Sequence, residues 1–339
     1  MSSSSSHAAA PHVVEDCFGI VQLLSDGTVR RSTDYSHLPD LMGNVPSDLP
    51  VEWKDVVYDA TNVLRLRMYR PSPWGGGKRL PVIVDFHGGG FCIGSFELPN
   101  FHASGLRLAG ELPAVVLSAD YRLAPEHRLP AAHHDAESVF SWLRTQGQAD
   151  PWLAESADLG RVFVSGGSAG GNISHHIAVQ FGTGRLALDP VRLAGCVMLW
   201  PYFGGEERTA AEAASPADGG DEWGAAQLEQ MWRLALPAGA TRDHPAANPF
   251  GPESTPLAEA VAFPPALVVD PDQDVLHDRI LDYVARLKAA GKTVEVVAFP
   301  GQGHAFFVFR PWGEASDELV RVIRRFVYGE YIASTCPAS

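Results

Sequence analysis

The sequence predicts an α/β protein built on a mostly parallel central sheet with helices on both faces. Three observations carry that expectation. Short, continuously apolar runs recur along the chain, and a strand reads that way when both of its faces are covered, as in a parallel sheet. Helix-length segments separate these runs, which is the pattern of repeated right-handed strand–helix–strand crossovers. The chain has 339 residues, 45% apolar and 19% charged, enough to bury a large core without disulfide or metal staples.

In chain order, the stretches at 51–58 and 63–69 alternate apolar and polar residues, so they read as an early antiparallel pair. A Pro/Gly-rich connector at 71–77 follows. The continuously apolar runs lie at 80–84, 114–117, 161–164, 195–199, 266–269 and 294–297. Helical segments fall at 103–111, 132–146, 169–181, 276–290 and 314–331. A stretch rich in Ala, Gly, Asp and Pro at 210–220 reads as a loop.

Lys plus Arg is 26 and Asp plus Glu is 40, a formal net charge of −14. So acidic a chain is a poor partner for nucleic acid or an anionic membrane, and neither is expected. The start of the chain lacks a basic segment followed by an apolar one, and the longest uncharged stretch, 162–184, is full of Gly, Ser and His. No secretory leader or membrane span is expected, and the expected location is the cytoplasm, with the nucleus also open to it. Cys17, Cys92, Cys196 and Cys336 are scattered, in neither a disulfide framework nor a zinc spacing.

Catalytic groups on such a sheet belong at the carboxyl ends of the strands. The run 161–164 leads into Ser165-Gly166-Gly167-Ser168-Ala169-Gly170-Gly171-Asn172 and then a helix. Gly166-x-Ser168-x-Gly170 suits a very tight strand-to-helix turn with the serine strained at its apex, next to the free N–H groups of the helix. After the run 80–84 comes His87-Gly88-Gly89-Gly90-Phe91. Its backbone N–H groups are unshielded, so Gly88 and Gly89, with Ala169 after the serine, are the expected oxyanion donors. His87 is expected to fix this loop through a hydrogen bond.

A base and an acid should follow the serine. His133-His134 and His175-His176 fall in helical segments and lack metal spacing, so they read as structural. His304 follows the last strand in Gly301-Gln302-Gly303-His304-Ala305-Phe306, where its imidazole can take the serine proton. The acid should come from the loop after 266–269, which holds four carboxylates, Asp270, Asp272, Asp274 and Asp278. Spacing alone leaves that choice open.

His87-Gly88-Gly89-Gly90-Phe91, Asp120-Tyr121-Arg122-Leu123-Ala124-Pro125-Glu126-His127, Gly-x-Ser-x-Gly-Gly-Asn, Asp-x-Leu-x-Asp-Arg and Gly-His-Ala-Phe occur in this order over almost the whole chain. Together they resemble the hormone-sensitive-lipase-like branch of the α/β-hydrolases. Within it the chain is similar to plant carboxylesterases, and the stretches at 14–29, 204–209 and 241–252 resemble the strigolactone-hydrolysing subgroup. The resemblance implies a single α/β-hydrolase domain over residues 1–339. It implies a small helical cap from residues 1 to about 45 and about 202–250. It places the acid at Asp274 and makes Asp278 and the segment from Tyr121 to Glu126 structural.

The implied activity is hydrolysis of small to medium apolar esters or lactones, strigolactone-type hormones among them, by Ser168, His304 and Asp274 through an acyl-enzyme. No metal or organic cofactor is expected. The only expected partners are the small-molecule ester and, at most, a second copy in a homodimer. The alternative is a non-catalytic hormone receptor on the same fold; the gibberellin receptor resembles this branch but lacks the catalytic histidine, which this chain retains at His304. Trp223, Met231, Trp232, Leu234, Leu236 and Phe250 are expected to line an apolar substrate pocket with Phe91, Phe306 and Phe307, and Phe91, Trp232, Phe250 and Phe306 are the foremost candidates. One departure stands out: the family usually has Asp between the elbow glycine and the nucleophile, and this chain has Gly167. A supporting hydrogen bond should be lost there and the turn should gain freedom.

Overall fold

A computed structural model describes residues 10–36, 38, 49–216 and 223–329. An eight-stranded sheet runs through its centre, in spatial order β11-β10-β9-β8-β6-β7-β5-β4. The antiparallel pair expected from alternation is β4 (Val51–Asp59) and β5 (Leu64–Pro71). The parallel strands are β6 (Leu80–Phe86), β7 (Val115–Ala119), β8 (Ala157–Gly167), β9 (Leu193–Leu199), β10 (Ala266–Pro271) and β11 (Val294–Phe299). Their interior is aliphatic: Val82, Val84, Val116, Leu117, Val162, Val164 and Val268 are fully buried. The expectation that every such run is covered on both faces fails at β11, whose residues are mostly half-exposed. It is the edge strand, with a neighbour on one side only.

Helices α1 (Pro99–Glu111), α2 (Ala131–Thr145), α3 (Pro151–Ser156), α4 (Ala169–Gly182), α7 (His277–Ala289), α8 (Phe306–Phe309) and α9 (Glu314–Tyr328) flank the sheet. Pro99 starts α1, where its missing N–H is no loss, and Gly329 ends α9 in the left-handed conformation typical of a helix terminus. Tyr331, the expected end of the last helix, and Cys336 lie outside the described residues. Helices α1, α8 and α9 pack together, and Arg107 of α1 pairs with Asp317 of α9. Helices α2 and α4 pack together as a second group.

The contact between α2 and α4 contains His133, stacked on His176 at 4.2 Å between ring centroids, with its Nε2 2.9 Å from Asn172 Oδ1. Burial holds the His133 imidazole well below its ordinary pKa, so it is neutral in the folded protein. The unfolded chain protonates the same ring near pH 6.5. Below that pH the unfolded state binds the extra proton, and stability falls as the pH falls, by about 1.4 kcal/mol per unit at most. His133→Gln removes that dependence. Its stability relative to the parent should therefore rise by about 1 kcal/mol between pH 6 and pH 5. Denaturant melts at pH 7, 6 and 5 check this; a constant difference between the two proteins would place the proton uptake elsewhere.

Residues 13–31 are not helical, contrary to the helical cap expected there. They form a three-stranded antiparallel sheet of β1 (Val13–Cys17), β2 (Val21–Leu24) and β3 (Val29–Arg31). Arg31 anchors it by a two-pronged pair with Glu126 and by bonds to the carbonyls of Cys92 (2.7 Å) and Ala124 (2.6 Å). The helical part of the insertion after β9 is α5 (Ala210–Ala214) and α6 (Ala225–Ala235). Helix α5 begins with a reciprocal cap between Thr209 and Glu212. Helix α6 is tied to β1, where Arg233 meets Glu15 at 2.6 Å.

Candidate active site

The ends of β6, β8, β10 and β11 bring the four candidate loops together. At the end of β8, Ser168 has φ 55° and ψ −116°, a conformation rarely taken by a side-chain-bearing residue. The flanking glycines permit the turn. A Cβ on Gly170 would lie 1.9 Å from the Phe86 carbonyl oxygen, and one on Gly166 would lie 2.5 Å from the Gly170 backbone. Three backbone bonds hold the apex, from Ser168 N to Leu199 O and to Ser168 O from Asn172 N and Tyr202 N. These bonds are made by backbone atoms alone and do not involve the side chain at position 167. A Cβ on Gly167 would stand 3.1 Å from Trp200 Nε1, so the fully buried indole of Trp200 closes the space beside this position.

His304 links the loops. Its Nε2 is 3.0 Å from Ser168 Oγ and its Nδ1 is 2.7 Å from Asp274 Oδ2. With Nδ1–H donated to the carboxylate, Nε2 is left to accept the serine proton. Asp274 is buried and its other oxygen accepts the Leu276 N–H at 2.9 Å, which fixes the carboxylate in the loop. The remaining carboxylates are engaged elsewhere. Asp270 faces His277 at 2.8 Å, and burial raises its pKa. Asp272 accepts the Gly301 N–H at 2.7 Å. Asp278 accepts the Ala211 N–H at 2.8 Å, so it ties α7 to the start of α5 rather than closing its own loop.

The glycine loop after β6 runs alongside the serine. A Cβ on Gly88 would lie 3.4 Å from Ser168 Cβ and 3.1 Å from the Gly167 carbonyl oxygen, so this loop runs directly beside the nucleophile. Gly89 lines the same cavity, and Ala169 opens α4, where first-turn N–H groups have no intrahelical acceptor. His87 is buried with its ring stacked 4.3 Å from Tyr121. Its Nδ1 is 2.7 Å from the Gly88 carbonyl, and its own carbonyl accepts the Tyr121 hydroxyl at 2.9 Å. Burial lowers its pKa, so the neutral ring donates to the loop it supports. Asp120 fixes the next part of that loop by accepting from Phe96 N and Ser95 Oγ.

A narrow cavity of about 50 Å³ opens beside Ser168 and His304, between the glycine loop, α1 and α8. Its walls correct the expected pocket. Phe91, Trp232, Phe250 and Phe306 do not line it, nor do Met231, Leu234 and Leu236. Phe91 and Trp232 pack with Tyr202 in the core, the Tyr202–Trp232 rings stacked at 4.0 Å. Phe250 lies against Tyr283, and Phe306 sits under Trp200 and Phe299. Aromatics at helical spacing went into packing, as most do. Trp223 and Phe307 do line the cavity, together with Leu98, which precedes α1, and Phe101 and Leu108 of α1, none of the three marked by any motif. Trp223 also packs at a tilt against Phe18 of the loop between β1 and β2, 5.2 Å between ring centroids, and lies 6.2 Å from the His304 ring.

Among the described residues, no group of three or more His, Cys, Asp or Glu is placed to hold a metal, and no helix is long and apolar enough to cross a membrane. Cys17, Cys92 and Cys196 are unpaired and buried.

Comparison with known proteins places this geometry. The chain is 33% identical over 327 residues to probable carboxylesterase 8 of Arabidopsis thaliana, covering 94% of each chain. It is also 37% identical over 290 residues to a gibberellin receptor of Arabidopsis thaliana, covering 80% of this chain and 79% of the receptor. Among solved structures, an esterase of the archaeon Pyrobaculum calidifontis superposes with a TM-score of 0.71 at 30% identity, covering 88% of this chain and 91% of the esterase. Residues 83–308 match the family described as the alpha/beta hydrolase fold. The chain belongs to the alpha/beta hydrolase fold family, with plant carboxylesterases among its relatives.

Proposed function

We propose that the protein is a serine carboxylesterase that hydrolyses short esters through an acyl-enzyme. One observation carries the reading: a single imidazole stands 3.0 Å from a strained serine hydroxyl and 2.7 Å from a buried carboxylate. Ser168 Oγ attacks the acyl carbon while His304 Nε2 takes its proton. The N–H groups of Gly88, Gly89 and Ala169 hold the oxyanion; one such donor is worth about 10²–10³ in rate. His304 then protonates the departing alcohol. Water, deprotonated by the same nitrogen, releases the acid and restores Ser168. Asp274 holds the ring and stabilises its cationic form.

Substrate size follows from the cavity. About 50 Å³ holds only a few water molecules' worth of volume, which suits a short acyl chain. The three-stranded N-terminal sheet with α5 and α6 forms the cover, and Trp223, just before α6, lies 6.2 Å from the His304 ring. Strigolactone-type lactones belong in the tested panel because the sequence resemblance points to them. The receptor reading draws on the kinship with the gibberellin receptor. It differs in outcome, since a receptor retains its ligand unchanged.

p-Nitrophenyl acetate, butyrate, hexanoate and octanoate, with a strigolactone analogue, form the test panel. We expect kcat/KM to fall by at least about tenfold from butyrate to octanoate, because longer chains exceed the cavity. A phosphonate ester should label Ser168, detected by mass spectrometry. Absence of both turnover and labelling, with a ligand bound and recovered intact, would favour the receptor.

A further inference from the structure

One half-buried acid has no place in the mechanism above. Asp85, near the end of β6, lines the cavity beside Ser168, between apolar walls formed by Leu98, Phe101, Leu108 and Phe307. The pleat places it in a row of polar residues across the sheet. It registers with Ser118 of β7 on one side and Ser165 of β8 on the other. Beyond Ser118 the row continues into Arg67 of β5, which is taken up by Asp55 of β4 at 2.6 and 2.9 Å.

The fully buried acids here each meet a basic side chain: Asp135 meets Arg122, Glu212 meets Arg279, Asp270 meets His277, and Asp274 meets His304. Asp85 has no such partner among the described residues. Burial pushes its pKa up to about 6, and the Ser165 hydroxyl is what opposes the shift. A carboxylate offers about four acceptor sites, and the Ser165 hydroxyl takes up one of those on Asp85.

We propose that Asp85 is a specificity-determining residue that selects esters carrying a hydroxyl group on the portion entering the cavity. A plain alkyl chain strips water from the carboxyl and returns no hydrogen bond, whereas a hydroxyl donates one. Leaving such a group unpaired discriminates between otherwise identical substrates far more strongly than a missing methylene does. The inference rests on the esterase reading of Ser168, and extends it to the chemistry of the substrate.

Two matched ester pairs test it: p-nitrophenyl 3-hydroxybutyrate against the butyrate, and 2-hydroxyethyl butyrate against propyl butyrate. They place the hydroxyl on the acyl and on the alcohol side. We expect kcat/KM to favour the hydroxylated member of one pair by about tenfold or more. Asp85→Leu should reverse that preference, the plain ester gaining while the hydroxylated one loses. Asp85→Asn, which keeps a hydrogen-bonding side chain of the same shape, should retain part of it and serves if the leucine variant does not fold. Binding of the same pairs to Ser168→Ala protein, by calorimetry, reads the preference without turnover, so a failed esterase reading is separable from a failed specificity reading. Equal ratios in the parent and the Asp85 variants, in both pairs and both assays, would overturn the proposal.

Discussion

Ser168→Ala reduces ester turnover by at least about 10⁴ and leaves the protein folded. Where a serine nucleophile works with a histidine and a carboxylate, removing it alone costs about 10⁶ in kcat. The residual rate comes from the oxyanion donors and from substrate binding, both of which survive the change. Folding should survive too, because the hydroxyl's partner is His304, and the turn is held by backbone bonds at Ser168 N and O that alanine keeps. Alanine has the same difficulty as serine at φ 55°, so no new strain is added. Kinetics with p-nitrophenyl butyrate and a thermal melt check both halves. Wild-type turnover in the variant would remove Ser168 from the mechanism.

Asp274→Asn is the second large effect, with kcat lowered by about 10⁴. The structure gives the reason at atomic level. Asn keeps an oxygen to accept the Leu276 N–H, so the loop is retained and the amide nitrogen turns toward His304. That nitrogen donates, which forces His304 Nδ1 to accept and puts the ring hydrogen on Nε2, facing Ser168. An imidazole in that tautomer is unable to take the serine proton; the equivalent exchange in a serine protease lowers kcat by about 10⁴. No neighbouring acid is free to substitute, because Asp270 is held by His277 and Asp272 by Gly301. Asp272→Asn should change kcat by less than about threefold, since its backbone contact survives in the amide. Asp270→Asn and Asp278→Asn should show mainly in thermal melts. If Asp274→Asn kept near-normal kcat while one of the others lost it, the acid would be reassigned.

The strand at 161–164 leading into Gly166-x-Ser168-x-Gly170, and the glycines after His87, were legible because they are local. A tight turn needs small residues at fixed offsets, and those offsets are written in the chain. The parallel strands were legible for a similar reason, since burial on both faces demands an unbroken apolar run. The acid was different. Four carboxylates within nine residues share one composition, and only the direction of each side chain separates them. Family resemblance pointed to Asp274, and the fold puts its oxygen 2.7 Å from His304.

What the sequence determined by itself was therefore the alternation of strands and helices and the strand ends at which serine, glycines and histidine stand. Each depends on spacing along a few neighbouring residues. Tertiary structure alone decided the strands at 13–31, whose stability comes from Arg31 and Glu15 reaching partners some 95 to 218 residues away. It also decided the cavity. Phe91 and Phe307 are equally apolar, and what directs one into the core and the other to the cavity wall is the packing of α1 and α8 over the strand ends. Asp85 follows the same rule: a carboxyl in an apolar strand is visible in the sequence, but that it opens beside Ser168 with no basic partner is a property of three adjacent strands and the helix that covers them.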